Sequence, residues 1–117
     1  MTTPEPVPAV RVRNGDTPWI VRFIDDQGHE WIGDEPLEAG GSNIGPSPKH
    51  LLLSSLGACT AITVQMYAQR KQWPLTDIDV EVKLNPLGKP ESGNDITRSI
   101  VLHGDLSIEQ RERLLQI

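Results

Sequence analysis

Cys59 is the only cysteine in this 117-residue chain, and its thiol is the side chain best suited to redox chemistry. A thiol reacts as its thiolate, which a nearby cation or helix N-terminus favours by lowering the thiol pKa. Arg11, Arg13 and Arg22 lie on early segments that we expect to pack near Cys59, so they are candidate cations. Alternatively, Cys59 is a small buried hydrophobic residue, as most free cysteines are. A single cysteine excludes an internal disulfide.

Other groups that could bind a metal are three histidines and a cluster of loop carboxylates. These are His29, His50 and His103, with Asp34, Glu35 and Glu38. No pair among the histidines and Cys59 has the close spacing of a zinc site, so we predict no metal and no cofactor. We expect the acidic loop residues to be solvated. The chain has neither a G-x-S-x-G nucleophile motif nor a phosphate-binding glycine loop.

The stretch that must position Cys59 runs from Gly45 to Pro74 and predicts a long helix. Ser47 is a suitable N-cap and Pro48 suits the first helical position. Pro74 disfavours helical conformation in the residue before it. The first half is apolar nearly all round, which predicts a helix that other elements bury. Serine, glycine and threonine interrupt this run, which argues against a membrane span.

Five segments have the alternating or β-branched composition of strands. They are Ala9–Arg13, Trp19–Ile24, His29–Ile32, Asp77–Leu84 and Ile96–Gly104. The second and third predict a hairpin, and the last two an antiparallel pair. A long loop, Gly33–Gly45, follows the third strand, and Ser107 predicts the N-cap of a final helix. This order predicts one α+β domain over residues 1–117, with antiparallel sheets packed on the long central helix.

Composition narrows the range of functions and compartments. The net charge of −5 argues against a nucleic-acid partner. The N-terminal sequence MTTPEPVPAV lacks the basic and apolar regions of a secretory signal, and the single cysteine fits a reducing compartment. We therefore predict a cytoplasmic protein. An apolar helix in so small a domain also predicts a second subunit that helps to cover it.

The chain from Gly33 to about Asn85 resembles the OsmC/Ohr family, especially its OsmC-like subgroup. Three motifs carry the resemblance: GPSP before the helix, LGACT at its centre, and MYAQRKQWPL at its end. The final segment, LSIEQRERLLQI, resembles the family segment that precedes its second cysteine.

The resemblance implies an α+β fold and an intertwined homodimer with the long helices at its centre. It also implies thiol-dependent reduction of hydroperoxides, organic ones especially, without a cofactor. Cys59 corresponds to the cysteine that attacks the peroxide. The family uses an arginine to stabilise the thiolate and a glutamate to orient that arginine. Arg13 and Arg22 are the candidates for the arginine here, and they lie outside the segment that carries the resemblance.

Two departures from the family pattern affect this expectation. No counterpart of the second cysteine is present, because the sequence ends at Ile117 before the corresponding segment, so the C-terminal part of the domain is expected to be missing. Turnover would then need an external thiol or dithiol reductant. Lys49 and His50 stand where the family often has a glutamate. The alternative function is therefore a non-catalytic OsmC-like dimer that binds a small apolar ligand.

Overall fold

The computed structural model describes residues 7–117, and its helices and strands follow the predicted order. The strands are β1 (Val10–Asn14), β2 (Val21–Asp25), β3 (Glu30–Gly33), β4 (Leu75–Leu84) and β5 (Ile96–Gly104). The helices are α1 (Pro48–Lys71) and α2 (Ile108–Leu115), and a short 3-10 helix spans Leu37–Ala39. The chain divides into two compact units between Leu51 and Leu52, within α1. The predicted α+β class with antiparallel sheets and a long helix is confirmed.

The first unit contains a three-stranded antiparallel sheet in the order β1-β2-β3. The predicted hairpin is confirmed, with Phe23 opposite Trp31 and their rings stacked at 5.3 Å between centroids. The expectation that the second strand begins at Trp19 is wrong. Trp19 has a φ of 71°, in the left-handed region, and so it belongs to the preceding turn.

Helix α1 begins where the sequence predicts, because Ser47 caps its first turn. The backbone N–H of His50 donates to Ser47 Oγ at 3.3 Å. The helix ends at Lys71, and Gln72 follows with a left-handed φ of 58°. The expectation that other elements of the chain bury its first half is wrong. Only Thr60, Val64 and Ala68 are buried along α1, because one side alone of the helix packs on the sheet and α2.

The second unit packs α2 and one face of the β4–β5 sheet against the buried side of α1. Strict alternation places Ile78, Val80, Val82 and Leu84 on that face. The core consists of Val64, Ala68, Leu102, Leu106 and Leu114. Helix α2 starts at the predicted cap, where Ser107 and Gln110 form a reciprocal capping box.

Candidate functional site

Cys59 lies in the middle of α1 with its side chain exposed. The reading of Cys59 as a buried hydrophobic residue is therefore wrong for the single chain, in which the thiol is accessible. Apolar residues at i+3 and i+4 spacing continue along the same side of the helix. We call this set the exposed stripe, and it comprises Leu52, Leu56, Cys59, Ile62 and Met66. The thiol therefore sits within an apolar surface rather than a polar one.

The turn of α1 that bears Cys59 is fixed to the β4–β5 sheet at two points. Gly57 approaches the sheet so closely that a Cβ atom added there would lie 3.3 Å from Val82 Cγ2. One turn later, Arg98 Nη1 donates a hydrogen bond to Thr60 Oγ1 at 2.8 Å. Val82 and Arg98 are direct partners in the antiparallel register. Both contacts therefore rest on one cross-strand pair.

Thr60 is well suited to connect the helix with this arginine. It is only 8% exposed, and its hydroxyl donates to the Leu56 carbonyl at 2.9 Å while it accepts from Arg98. The buried hydroxyl therefore both donates and accepts a hydrogen bond, which avoids the cost of an unpaired buried polar group. The guanidinium of Arg98 is held next to the residue that follows Cys59 in sequence.

The two arginines expected from the sequence lie together in the first unit. Arg13 and Arg22 face each other directly across β1 and β2. They line an open cavity of about 440 Å³ together with Phe23, Ile24 and Glu30. Within residues 7–117 neither guanidinium forms a salt bridge or a side-chain hydrogen bond. Like charges placed opposite each other repel, so this pair favours an anion nearby.

The start of α1 carries a serine–histidine contact in place of a carboxylate. Ser47 is buried, and its Oγ lies 2.6 Å from His50 Nδ1. These two residues line a cavity of about 400 Å³ with Pro36, Ile44 and Pro46. The contact has the i, i+3 geometry of a helix cap, so its first effect is to fix the first turn of α1.

The expectation that the acidic loop is solvated is wrong for Asp34, which is only 2% exposed. Its carboxylate accepts the backbone N–H groups of Glu35 at 2.7 Å, Ser42 at 3.1 Å and Ile44 at 3.3 Å. A buried carboxylate is tolerated when such hydrogen bonds replace its hydration. Asp34 thus organises the loop that leads to α1.

Comparison with known proteins gives the family. The chain matches the OsmC-like protein family over residues 40–117, more than half of its length. The chain belongs to this family. The comparison with curated proteins found no match.

Solved structures of OsmC-like proteins share the fold. An OsmC-like protein from Mycoplasma pneumoniae is 19% identical, with 96% of this chain and 79% of that chain covered and a TM-score of 0.78. The organic hydroperoxide resistance protein OsmC from Legionella pneumophila is 18% identical, with 97% and 82% covered and a TM-score of 0.64. The organic hydroperoxide resistance protein OhrB from Bacillus subtilis is 22% identical, with 94% and 81% covered and a TM-score of 0.60.

By length and composition, α1 of this OsmC-like chain could span a membrane, and no other helix among the described residues could. Core helices of soluble proteins meet the same criterion. The family model covers residues 40–117, so α1 belongs to the OsmC-like domain.

The described part of this OsmC-like chain holds no group of three or more His, Cys, Asp or Glu residues able to bind a metal. Two histidines instead pair with single carboxylates on the surface. His29 Nδ1 lies 2.9 Å from Asp25, and His103 Nε2 lies 2.7 Å from Asp79.

Sequence reasoning overlooked Arg98, although a signal was present. Alternation along β5 places Arg98 in phase with Ile96, Ile100 and Leu102, on the inner face of the sheet. Arg98 is exposed overall, but on this face its long side chain can reach a polar group of the element packed there. Helix α1 packs there, and Thr60 supplies that group.

Proposed function

We propose that this OsmC-like protein reduces organic hydroperoxides through Cys59. The exposed thiol on the central helix supports this proposal most directly, because an attacking sulfur must reach a peroxide oxygen. The surrounding apolar residues suit the organic group of such a substrate. Family membership and the hydroperoxide resistance proteins among its structural neighbours agree with this chemistry.

The proposed reaction takes place at the sulfur atom of Cys59. The thiolate attacks one peroxide oxygen, a sulfur–oxygen bond forms and the O–O bond breaks. The leaving alkoxide takes a proton from water and becomes the alcohol, and Cys59 becomes a sulfenic acid. An external dithiol then attacks this sulfur and releases water. The second thiol of the reductant then attacks the resulting mixed disulfide, which frees the Cys59 thiol and forms a disulfide within the reductant.

The proposal includes a cation for the thiolate, for which the sequence offers Arg13 and Arg22. Both are exposed and unpaired within residues 7–117, so their charge is available. It also includes one OsmC-like domain over residues 1–117, a homodimer, and a cytoplasmic location with an external thiol reductant. No nucleic-acid partner is included, because the net charge is −5.

The test measures consumption of cumene hydroperoxide by the purified chain with dihydrolipoamide as the reductant. We expect Cys59→Ser to reduce consumption to the uncatalysed background. Gln65→Ala, a change at an exposed position of the same helix outside the exposed stripe, is the matched control and should keep the wild-type rate. Unchanged consumption in Cys59→Ser would contradict the proposal.

A second candidate function is the binding of a small apolar ligand without catalysis. It is favoured by Lys49 and His50, which stand where the family often has a glutamate, and by the apolar surface around Cys59. This function predicts that an apolar ligand raises the melting temperature of Cys59→Ser as much as that of the wild type. A rise that depends on the thiol would exclude it.

A further inference from the structure

Arg98 is the charged residue that the structure holds beside the turn bearing Cys59. Its Nη1 donates to Thr60 Oγ1 at 2.8 Å, and Thr60 directly follows Cys59 in α1. Neighbouring side chains of an α-helix project about 100° apart, so a guanidinium bonded to Thr60 lies on the order of 10 Å from the Cys59 sulfur. The bond to Thr60 uses one of the five N–H groups of a guanidinium.

One hydrogen bond restrains the guanidinium, while the rest of the Arg98 side chain is exposed. Thr60 is buried and its hydroxyl is also committed to the Leu56 carbonyl, so the acceptor cannot rotate freely. Val82, the cross-strand partner of Arg98, meets α1 at Gly57, which keeps the strand and the helix in close contact. A fixed charge costs less reorganisation when a neighbouring anion forms than a mobile one does.

We infer that Arg98 is a positioning residue of the proposed redox site, held by Thr60 so that its charge favours the anionic sulfur of Cys59. This inference rests on the proposed function and assigns to the thiolate a cation from the same unit as Cys59. Arg98 acts through space and through Thr60, and it makes no contact with substrate in this role.

The test is the pH dependence of the alkylation rate of Cys59 with iodoacetamide, for the wild type and for variants that circular dichroism shows to be folded. We use the pH at which the alkylation rate is half-maximal as the midpoint. A unit charge at about 10 Å, with an effective dielectric constant of about 40 to 80, shifts this midpoint by about 0.3 to 0.6 pH unit. We expect Arg98→Met to raise the midpoint by this amount. Arg98→Lys keeps the charge and should raise it less.

Thr60 supplies a second, independent test. Thr60→Val keeps the side-chain volume but removes the acceptor, so it should raise the midpoint in the same direction as Arg98→Met. Thr60→Ser keeps the hydroxyl and should retain the wild-type midpoint. The matched control is Arg113→Met, because Arg113 contacts α1 through the Tyr67 hydroxyl, seven residues beyond Thr60. This variant should leave the midpoint unchanged.

The outcomes separate the two proposals. A wild-type midpoint near the value for free cysteine, about 8.5, contradicts the proposed redox function itself. A wild-type midpoint well below this value, with no shift in Arg98→Met and Thr60→Val, contradicts only the role of Arg98. If Arg98→Met does not fold, the alkylation midpoint of Thr60→Val alone tests the role of Arg98. If Arg98→Met and Thr60→Val lower the melting temperature but do not shift the midpoint, the contact is only structural and the inference is overturned.

Discussion

The carboxylate of Asp34 accepts the backbone N–H of Ser42 at 3.1 Å, across eight residues of the loop between β3 and α1. The same carboxylate accepts from Glu35 and Ile44, and the Asp34 N–H donates to the Pro46 carbonyl at 3.1 Å. One buried side chain thus satisfies several backbone groups that a loop would otherwise leave to water. These hydrogen bonds fix the conformation of the loop up to Ser47, the N-cap of α1.

Asp34→Asn is expected to destabilise the protein by about 2 kcal/mol. The amide offers one acceptor oxygen, and its NH₂ group would face backbone N–H donors, which leaves buried polar groups unpaired. Urea unfolding measures the change in the free energy of unfolding. Asp16→Asn, an exposed aspartate of the same unit, is the control and should change stability by less than about 0.5 kcal/mol. Equal effects of the two substitutions would contradict this role of Asp34.

The contact between Asp25 and His29 predicts a pH dependence of stability. The His29 side chain, hydrogen-bonded at 2.9 Å, and then the His29 backbone N–H hold the pKa of Asp25 below its ordinary value of 3.8. A folded-state pKa below the unfolded value stabilises the protein above the unfolded pKa. This contribution is lost as the pH falls through the folded pKa. The wild type should therefore lose stability on acidification more steeply than Asp25→Asn.

Urea midpoints measured from about pH 5 to well below the ordinary pKa of 3.8 test this expectation, because the contribution is lost as the pH falls from that value through the lower folded-state pKa of Asp25. Asp105→Asn, an exposed aspartate, serves as the control and should retain the wild-type slope. An identical slope in the wild type and in Asp25→Asn would show that this contact does not contribute.

The part of the exposed stripe beyond Cys59, at Ile62 and Met66, predicts a self-association surface, as the resemblance to the family implies. Met66 is 56% exposed, and we expect a second copy to cover it. Met66→Glu would place an unpaired charge in that contact, which should raise the dimer dissociation constant by more than about tenfold. Sedimentation velocity measures it, with Gln65→Glu as the control that adds the same charge outside the stripe. A monomeric wild type would contradict the prediction.

The sequence is most informative where local chemistry alone decides the structure. Ser47, Pro48 and Ser107 predict both helix starts correctly, because capping depends on neighbouring backbone groups. The strict alternation of Ile78, Val80, Val82 and Leu84 predicts β4, and its expected antiparallel pairing with β5 is confirmed. The expected strand start at Trp19 is wrong because the strand propensity of one aromatic residue is weak compared with the turn geometry around it.

The features that were missed depend on contacts between residues distant in sequence. From the sequence alone, Asp34 is expected to be a surface carboxylate. It is buried because the loop surrounds it and the backbone N–H groups of Ser42 and Ile44 donate to its carboxylate. Arg98 acquires significance only when the sheet register and the packing of α1 bring it to Thr60, 38 residues away in sequence. Neither the burial nor the partner of such a residue follows from its own neighbours in the chain.

Arg111 should contribute strongly to the attachment of α2 to β5. Its Nη1 donates to the Leu102 carbonyl at 2.7 Å and its Nη2 to the Gly104 carbonyl at 2.8 Å. Lysine carries the same charge but lacks the planar fork that reaches two carbonyls at once, so Arg111→Lys should lower the free energy of unfolding by about 1 to 2 kcal/mol. Arg70→Lys, the same substitution at an exposed position of α1, is the control and should be nearly neutral. Urea unfolding distinguishes the cases, and a neutral Arg111→Lys would show that one donor suffices to attach α2.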